Sequence, residues 1–294
     1  MDATLTFDAR ALLGEGPVWD PDSSKLYWTD ILRGELHVFD PETNEDVIHR
    51  FNSFVTAISR YQKDKLVLVM KDGFYLFDLV QKQLTLLKKP EQMEHSLRFN
   101  DGKCDPAGRL WAGTMSMEGK KEKGAFYRLE KDLQITTIIE PVSISNGLDW
   151  DREKHVFYYI DTPTMEIKQF QYDPETGNLS NQEVVYRFEE DAGYPDGMTI
   201  DQEGNLWVAL FGGGKAVKID PGKKEWIDTI YLPVPHVTCC AFGGTNMKTL
   251  FITTASIPLS EKERADNPHA GSLFSVELQV GGFTPESFKC NAQI

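Results

Sequence analysis

The sequence is poor in basic residues, in cysteine, in helical periodicity and in long apolar runs. Its 31 Lys and Arg stand against 45 Asp and Glu, a net charge of −14. Such a surface repels nucleic-acid phosphates and anionic membrane faces, so neither is expected as a partner. No apolar run approaches the roughly 20 residues that a membrane helix needs. Met1-Asp2-Ala3-Thr4 opens without the basic end and apolar core of a secretory signal. There are 4 cysteines, Cys104, Cys239, Cys240 and Cys290, and none forms a Cys-x-x-Cys pair. Reduced, mostly buried thiols and a cytoplasmic location are the expectation.

Several chemistries lack their signature. No Gly-x-Ser-x-Gly elbow announces a serine hydrolase. Asp20-Pro21-Asp22 begins like an EF-hand loop but has neither Gly at the sixth position nor Glu at the twelfth. Gly212-Gly213-Gly214 is followed by no helix, which makes a hairpin loop of it rather than a phosphate cradle. The 6 histidines share no metal-binding spacing; His236 is the one expected near a pocket. Helical signals are confined to residues 90–96 and 260–265, both between strands. No linker rich in Gly, Ser or Pro divides the 294 residues, so one domain spanning 1–294 is expected.

What the chain does have is repetition. The stretch 98–114, RFNDGKCDPAGRLWAGT, recurs as PDGMTIDQEGNLWVAL at 195–210, NGLDWDREKHVFYYID at 146–161 and EGPVWDPDSSKLYWTD at 15–30. Fainter copies run over 56–70 and 238–254. The central residues of the second strand in each copy are Tyr27, Val67, Trp111, Phe157, Trp207 and Phe251, spaced by 40, 44, 46, 50 and 44 residues. A period in this range, with about four strands per unit, is the signature of propeller blades. In the first unit alternation and turn residues mark strands over 16–19, 25–29, 35–39 and 46–50. Asp-Pro-Glu-Thr turns recur at 40–43 and 173–176. The irregular hairpins of a β-sandwich would not repeat so evenly, and an all-β, six-bladed β-propeller is predicted. Ring closure falls to residues 4–7, expected to pair with the last blade near 283–290.

Counting back 11 to 13 residues from each central position gives Glu15, Thr56, Asn100, Asn146, Asp196 and Thr238. All six open the first strand of a blade, which in a propeller lines the central channel. They are therefore predicted to ring one mouth. Carboxylate, amide and hydroxyl oxygens without a thiol suit Ca²⁺, Mg²⁺ or Mn²⁺. Turn-capping before Gly16, Gly102, Gly147 and Gly197 is the competing explanation for these residue types. The loops between second and third strands return to the same mouth, bringing Met117, Glu118 and the segments 161–164 and 211–215 around it. Arg98 beside Asn100 suits a hydroxylated or anionic ligand.

The stretches GEGPVWD, RFNDGKCDPAGRLWAGTM, SNGLDWD and PDGMTIDQEGNLWVALFGG resemble the gluconolactonase/regucalcin family (senescence marker protein, luciferin-regenerating enzyme). The likeness is greatest to its bacterial sugar-lactone lactonases and covers essentially the whole chain. It implies a six-bladed propeller with one divalent metal ion in the channel, held by Glu15, Asn146 and Asp196. It implies sugar contacts from Arg98 and Asn100, and from Glu118 after Gly-Thr-Met. Thr56 and Thr238 are not ligands in the family pattern. Ca²⁺ is the expected ion, with Zn²⁺, Mg²⁺ and Mn²⁺ as alternatives.

The implied reaction is hydrolysis of a small-molecule sugar lactone, of the gluconolactone type, to its aldonic acid. Asp196 is the candidate general base. Asn100→Ala is then expected chiefly to raise KM. A metal-dependent esterase or phosphotriesterase on the same scaffold, or a calcium-binding protein without catalysis, are the alternatives.

Overall fold

A computed structural model describes residues 1–292 of the chain. Within them lie six antiparallel four-stranded sheets, one per sequence repeat. The first contains strands Gly14–Asp20, Lys25–Asp30, Glu35–Asp40 and Glu45–Arg50, within a residue or two of the boundaries read from the sequence. The first strands of the other blades are Val55–Gln62, Leu97–Cys104, Ser145–Asp151, Tyr194–Ile200 and Val237–Gly243. These six touch their neighbours in a closed cycle, the last against the first, so they form the wall of an axial channel. The chain is thus an all-β, six-bladed propeller.

Burial falls off radially, as the sequence pattern requires. Inner strands such as Val237–Gly243 are buried along their whole length, while the outer strand Gln83–Lys88 is mostly exposed. Between blades lie aromatic layers; Trp111, Phe126, Trp150, Phe157 and Tyr159 form one of them. Asp side chains close the hairpins by accepting from backbone N–H groups two residues on, as Asp40 does from Glu42 at 2.9 Å and Asp173 from Glu175 at 2.9 Å. One such turn is built deeper. Asp105, fully buried, accepts from the backbone N of Arg109 at 2.9 Å, Arg109 Nε at 2.6 Å, Trp111 Nε1 at 2.9 Å and Tyr172 Oη at 2.9 Å. It thereby fastens the third blade to the fourth.

Closure differs from expectation in its partner. Thr4–Phe7 is a strand, but it pairs with Leu273–Glu277 and not with 283–290. It supplies the outermost strand of the last blade, in the order Val237–Gly243, Thr249–Thr254, Leu273–Glu277, Thr4–Phe7. One sheet is therefore built from both ends of the chain. Segment 283–290 instead crosses the opposite end of the channel. There Phe288 N donates to Arg60 O at 2.8 Å, Lys289 N to Gly108 O at 2.8 Å, and Arg152 pairs with Glu286 at 3.0 Å. Of the two helical signals, 260–265 becomes the helix Glu261–Asp266 with a Ser260/Glu263 capping box. Residues 90–96 form turns, and a 3-10 turn at Thr162–Thr164 was not signalled. No helix of the described residues is long and apolar enough to cross a membrane, and the 4 cysteines are unpaired.

Candidate active site at one mouth of the channel

Each inner strand breaks register at the position singled out by the repeat. The shifts fall between Glu15 and Val18, Val55 and Ala57, Phe99 and Gly102, Asn146 and Leu148, Pro195 and Met198, and Val237 and Cys239. A bulge bends the strand and re-aims a side chain. The shared register of the six positions is a structural fact, and it has a bulge as its cause. Glycine after the ring residue serves packing: a Cβ at Gly147 would lie 2.5 Å from Asp196 O, and one at Gly197 2.3 Å from Cys239 Sγ. These contacts let adjacent inner strands approach closely.

Four of the six ring residues line one cavity of about 480 Å³: Glu15, Asn100, Asn146 and Asp196, together with Arg98. Thr56 and Thr238 do not. The Thr56 hydroxyl donates to Val69 O at 3.1 Å and that of Thr238 to Gly14 O at 2.6 Å, so both are spent on the backbone. From the loops expected at this mouth, Thr162, Pro163 and Phe211 line the cavity. Glu118 does not: it is exposed and pairs with Lys120 at 2.6 Å, while Met115, near the end of the strand Leu110–Ser116, and Lys121 of the loop after it line the cavity instead. Met117 is exposed outside it. His236 also lies outside the lining, stacked on Phe211 with ring centroids 4.3 Å apart.

The hydrogen bonds fix the orientation of both amides. Arg98 Nη1 donates to Asn100 Oδ1 at 2.7 Å, and Asn100 Nδ2 donates to Ser145 O at 2.9 Å and Asn146 Oδ1 at 3.0 Å. A guanidinium only donates and a carbonyl only accepts, so Asn100 cannot be reversed. The Thr162 hydroxyl spends its proton on Pro195 O at 2.8 Å and so accepts from Asn146 Nδ2 at 2.8 Å. This leaves Asn146 Oδ1 as the acceptor end, with lone-pair capacity beyond the bond from Asn100. An unbroken chain thus runs from Arg98 to Pro195, next to Asp196.

The electrostatics are those of a site short of positive charge. Burial, then the facing charge of Asp101, pushes Glu15 up to about 8. Burial pushes Asp196 well above the usual carboxylate range, with Glu15 and Asp101 adding to it. Asp101 itself is pushed up to about 6, first by burial, against the pull of Lys103. Arg98, buried, is held down to about 10. Asp196 Oδ1 is buried without a hydrogen-bond partner among the described residues. A buried carboxylate oxygen left without a donor is costly unless a cation meets it. Two carboxylates and an outward amide oxygen are a hard donor set, and they fit a divalent cation with oxygen preference. Among the described residues no three His, Cys, Asp or Glu side chains form a metal-holding group, so this set depends on the Asn146 amide.

Asp101 and Thr162 escaped the residue-by-residue reading. Asp101 follows Asn100 inside the bulge, where two consecutive residues oppose one. The Asn-Asp-Gly order is the only sequence trace of that. Thr162 acts from a 3-10 turn that carried no periodic signal.

A six-bladed β-propeller with buried hard oxygens and one arginine at a single mouth of its channel defines a class in which the work is done on the axis. The chain belongs to the SMP-30/Gluconolactonase/LRE-like family, whose model matches residues 13–256. It is 56% identical over 288 residues to the Bacillus subtilis (strain 168) protein YvrE, provisionally named a sugar lactone lactonase, covering 98% of this chain and 99% of that one. It is 38% identical over 279 residues to regucalcin of Danio rerio, covering 94% of each. Among solved structures it is similar to a calcium-binding protein, regucalcin, from Agrobacterium tumefaciens, with a TM-score of 0.93, 28% identity and coverage of 98% of this chain and 97% of that one.

Proposed function

We propose that the chain works as a single domain that hydrolyses a lactone with the aid of one divalent cation, held by Glu15, Asn146 and Asp196. The observation that carries this reading is the convergence of these three buried groups with Arg98 and Asn100 on one cavity, with Asp196 Oδ1 left unpartnered. A bound cation would supply Lewis-acid polarisation of the ester carbonyl and would acidify nearby water. Ca²⁺ is the ion we favour, in keeping with the oxygen donors and with the Agrobacterium relative described as calcium-binding; Zn²⁺, Mg²⁺ and Mn²⁺ are the alternatives.

Asp196 takes a proton from the water that attacks the ester carbon and returns it to the ring oxygen as the C–O bond breaks. Arg98 donates to a substrate oxygen, which its burial without an ion-paired carboxylate among the described residues prepares it to do. Asn100 holds that guanidinium in place. Glu118, turned to solvent and paired with Lys120, takes no part in this scheme. The substrate we assign at this level is an aldonolactone, opened to its aldonic acid, as the designation of the Bacillus subtilis relative supports.

The test is a panel of γ- and δ-lactones followed by acid release at constant pH, with each divalent cation and with chelator. Asp196→Ala is expected to lower kcat/KM by at least about 10³-fold and to weaken cation binding in calorimetry. Unchanged turnover in that variant would remove Asp196 from the reaction.

A further inference from the structure

A second cavity adjoins the one on the axis. Leu13 and Ile257 line the site, while their chain neighbours Leu12 and Ser256 line a separate cavity of about 410 Å³. The two share a wall held by the backbone, where Ser256 N and Ile257 N both donate to Leu12 O at 3.1 Å. Three arginines line the second cavity: Arg10, Arg33 from the loop between Lys25–Asp30 and Glu35–Asp40, and Arg264 from the helix Glu261–Asp266. No Asp or Glu is among its described lining residues. The chain has a net charge of −14 and only 10 arginines, so three of them around one carboxylate-free cavity stand out against the rest of the surface.

These arginines have N–H groups to spare. Among the described residues 8 of the 10 arginines pair with a carboxylate; the two that do not are Arg98, in the site, and Arg264, here. Arg10 spends Nε and Nη2 on Asp8, and Arg33 spends Nη1 on Asp30 Oδ2 and Arg10 O, each at 3.0 Å. Arg10 Nη1, Arg33 Nε and Nη2 and the whole Arg264 fork therefore have no acceptor among the described residues. A guanidinium stays charged and can only donate. Three forks on one cavity match the three acceptor oxygens and the roughly −1.5 to −2 charge of a phosphate monoester, whereas a carboxylate offers two oxygens and one charge. Asn267 lines the same cavity and donates Nδ2 to Glu263 O at 2.9 Å, which leaves its Oδ1 to accept from a hydroxyl. A volume of about 410 Å³ exceeds what a bare ion fills and lies within the roughly 300–1,000 Å³ of small-molecule sites.

We infer that this second cavity is a binding site for a small phosphate monoester with a hydroxylated body. The phosphate lies among Arg10, Arg33 and Arg264, and the body reaches Asn267. The assignment is independent of the lactone reading, because no group of the axial site takes part in it.

The probe is D-glucose 6-phosphate, titrated calorimetrically into the Ca²⁺-loaded full chain freed of excess cation, with D-glucose and inorganic phosphate as comparisons. The ester is expected to bind with a Kd of about 1 mM or below, inorganic phosphate at least about tenfold more weakly, and D-glucose not at all. Arg264→Gln, on the exposed helix, should raise the Kd for the ester about tenfold or more, the effect of losing a hydrogen bond to a charged group. Arg264→Lys keeps the charge without the fork and should raise it less. Lactone turnover should be unchanged in both variants. Asp196→Asn, in which the cation site is weakened, should still bind the ester. No binding of the ester to the parent chain would overturn the inference, and so would a Kd for Arg264→Gln within about twofold of the parent's. Binding lost in Asp196→Asn but kept in Arg264→Gln would move the phosphate to the axial cation and overturn the second site. Equal affinity for inorganic phosphate would overturn the assignment of an ester. None of these results bears on lactone hydrolysis, which is measured separately.

Discussion

Replacing Asn100 with alanine tests whether ligand and arginine are parts of one device. Asn100 holds Arg98 by its oxygen at 2.7 Å, and Ser145 O and Asn146 Oδ1 by its nitrogen at 2.9 and 3.0 Å. From the sequence a substrate contact is expected, and with it chiefly a rise in KM. The geometry demands more. Three buried hydrogen bonds at about 1 kcal/mol each place the stability loss near 3 kcal/mol. Loss of a group that orients a metal ligand typically costs about 10–100-fold in metal affinity. Asn100→Ala should therefore raise KM for the lactone and the cation Kd together, by about tenfold or more each. Thr162→Val separates the two effects. It removes the acceptor for Asn146 Nδ2 but leaves Arg98 and Asn100 bonded, so the cation Kd should rise while the arginine contact persists. Isothermal titration with Ca²⁺ and steady-state kinetics on one lactone supply both readings. A raised KM with cation affinity within twofold of the parent in both variants would refute the coupled network.

Other perturbations follow from the frame. Asp105→Ala leaves the Arg109 charge, the Trp111 indole and the Tyr172 hydroxyl buried without their acceptor, and should cost about 3–5 kcal/mol in urea unfolding. Removal of residues 1–10 takes away the outermost strand of the last blade and should lower Tm and give early hydrogen exchange in Leu273–Glu277; an unchanged Tm would contradict the closure described. Asp8, bonded by Arg10 at 2.8 Å and by Ser272 Oγ at 2.9 Å, is held down to about 2, chiefly by Arg10. A depressed carboxyl stabilises the fold above its unfolded value and loses that as pH falls through its folded one. The Tm difference between parent and Asp8→Asn should thus be constant above about pH 5 and fall away progressively between about pH 5 and pH 1.

How much of this was written in the residues follows from what repeats. The blade count, the strand positions and the register of Glu15, Asn100, Asn146 and Asp196 were legible, because each blade solves the same local problem with the same turn and the same alternation. Thr56 and Thr238 share that register and still leave the site, because each short hydroxyl is taken by a nearby backbone carbonyl, Val69 O of its own blade for Thr56 and Gly14 O of the adjoining blade for Thr238. Glu118 follows its motif along the chain, yet its loop carries it to Lys120 and solvent.

The sequence by itself determined that there are six units and where each meets the axis, since strand period and turn chemistry are local. Only the tertiary structure decided which neighbour receives Thr4–Phe7, that Asp101 joins the buried carboxylates, and that Leu13, Phe211 and Ile257 line the cavity beside the polar groups. Those outcomes depend on contacts between residues some 50 to 270 apart in the chain, and a single strand carries no record of what comes to face it.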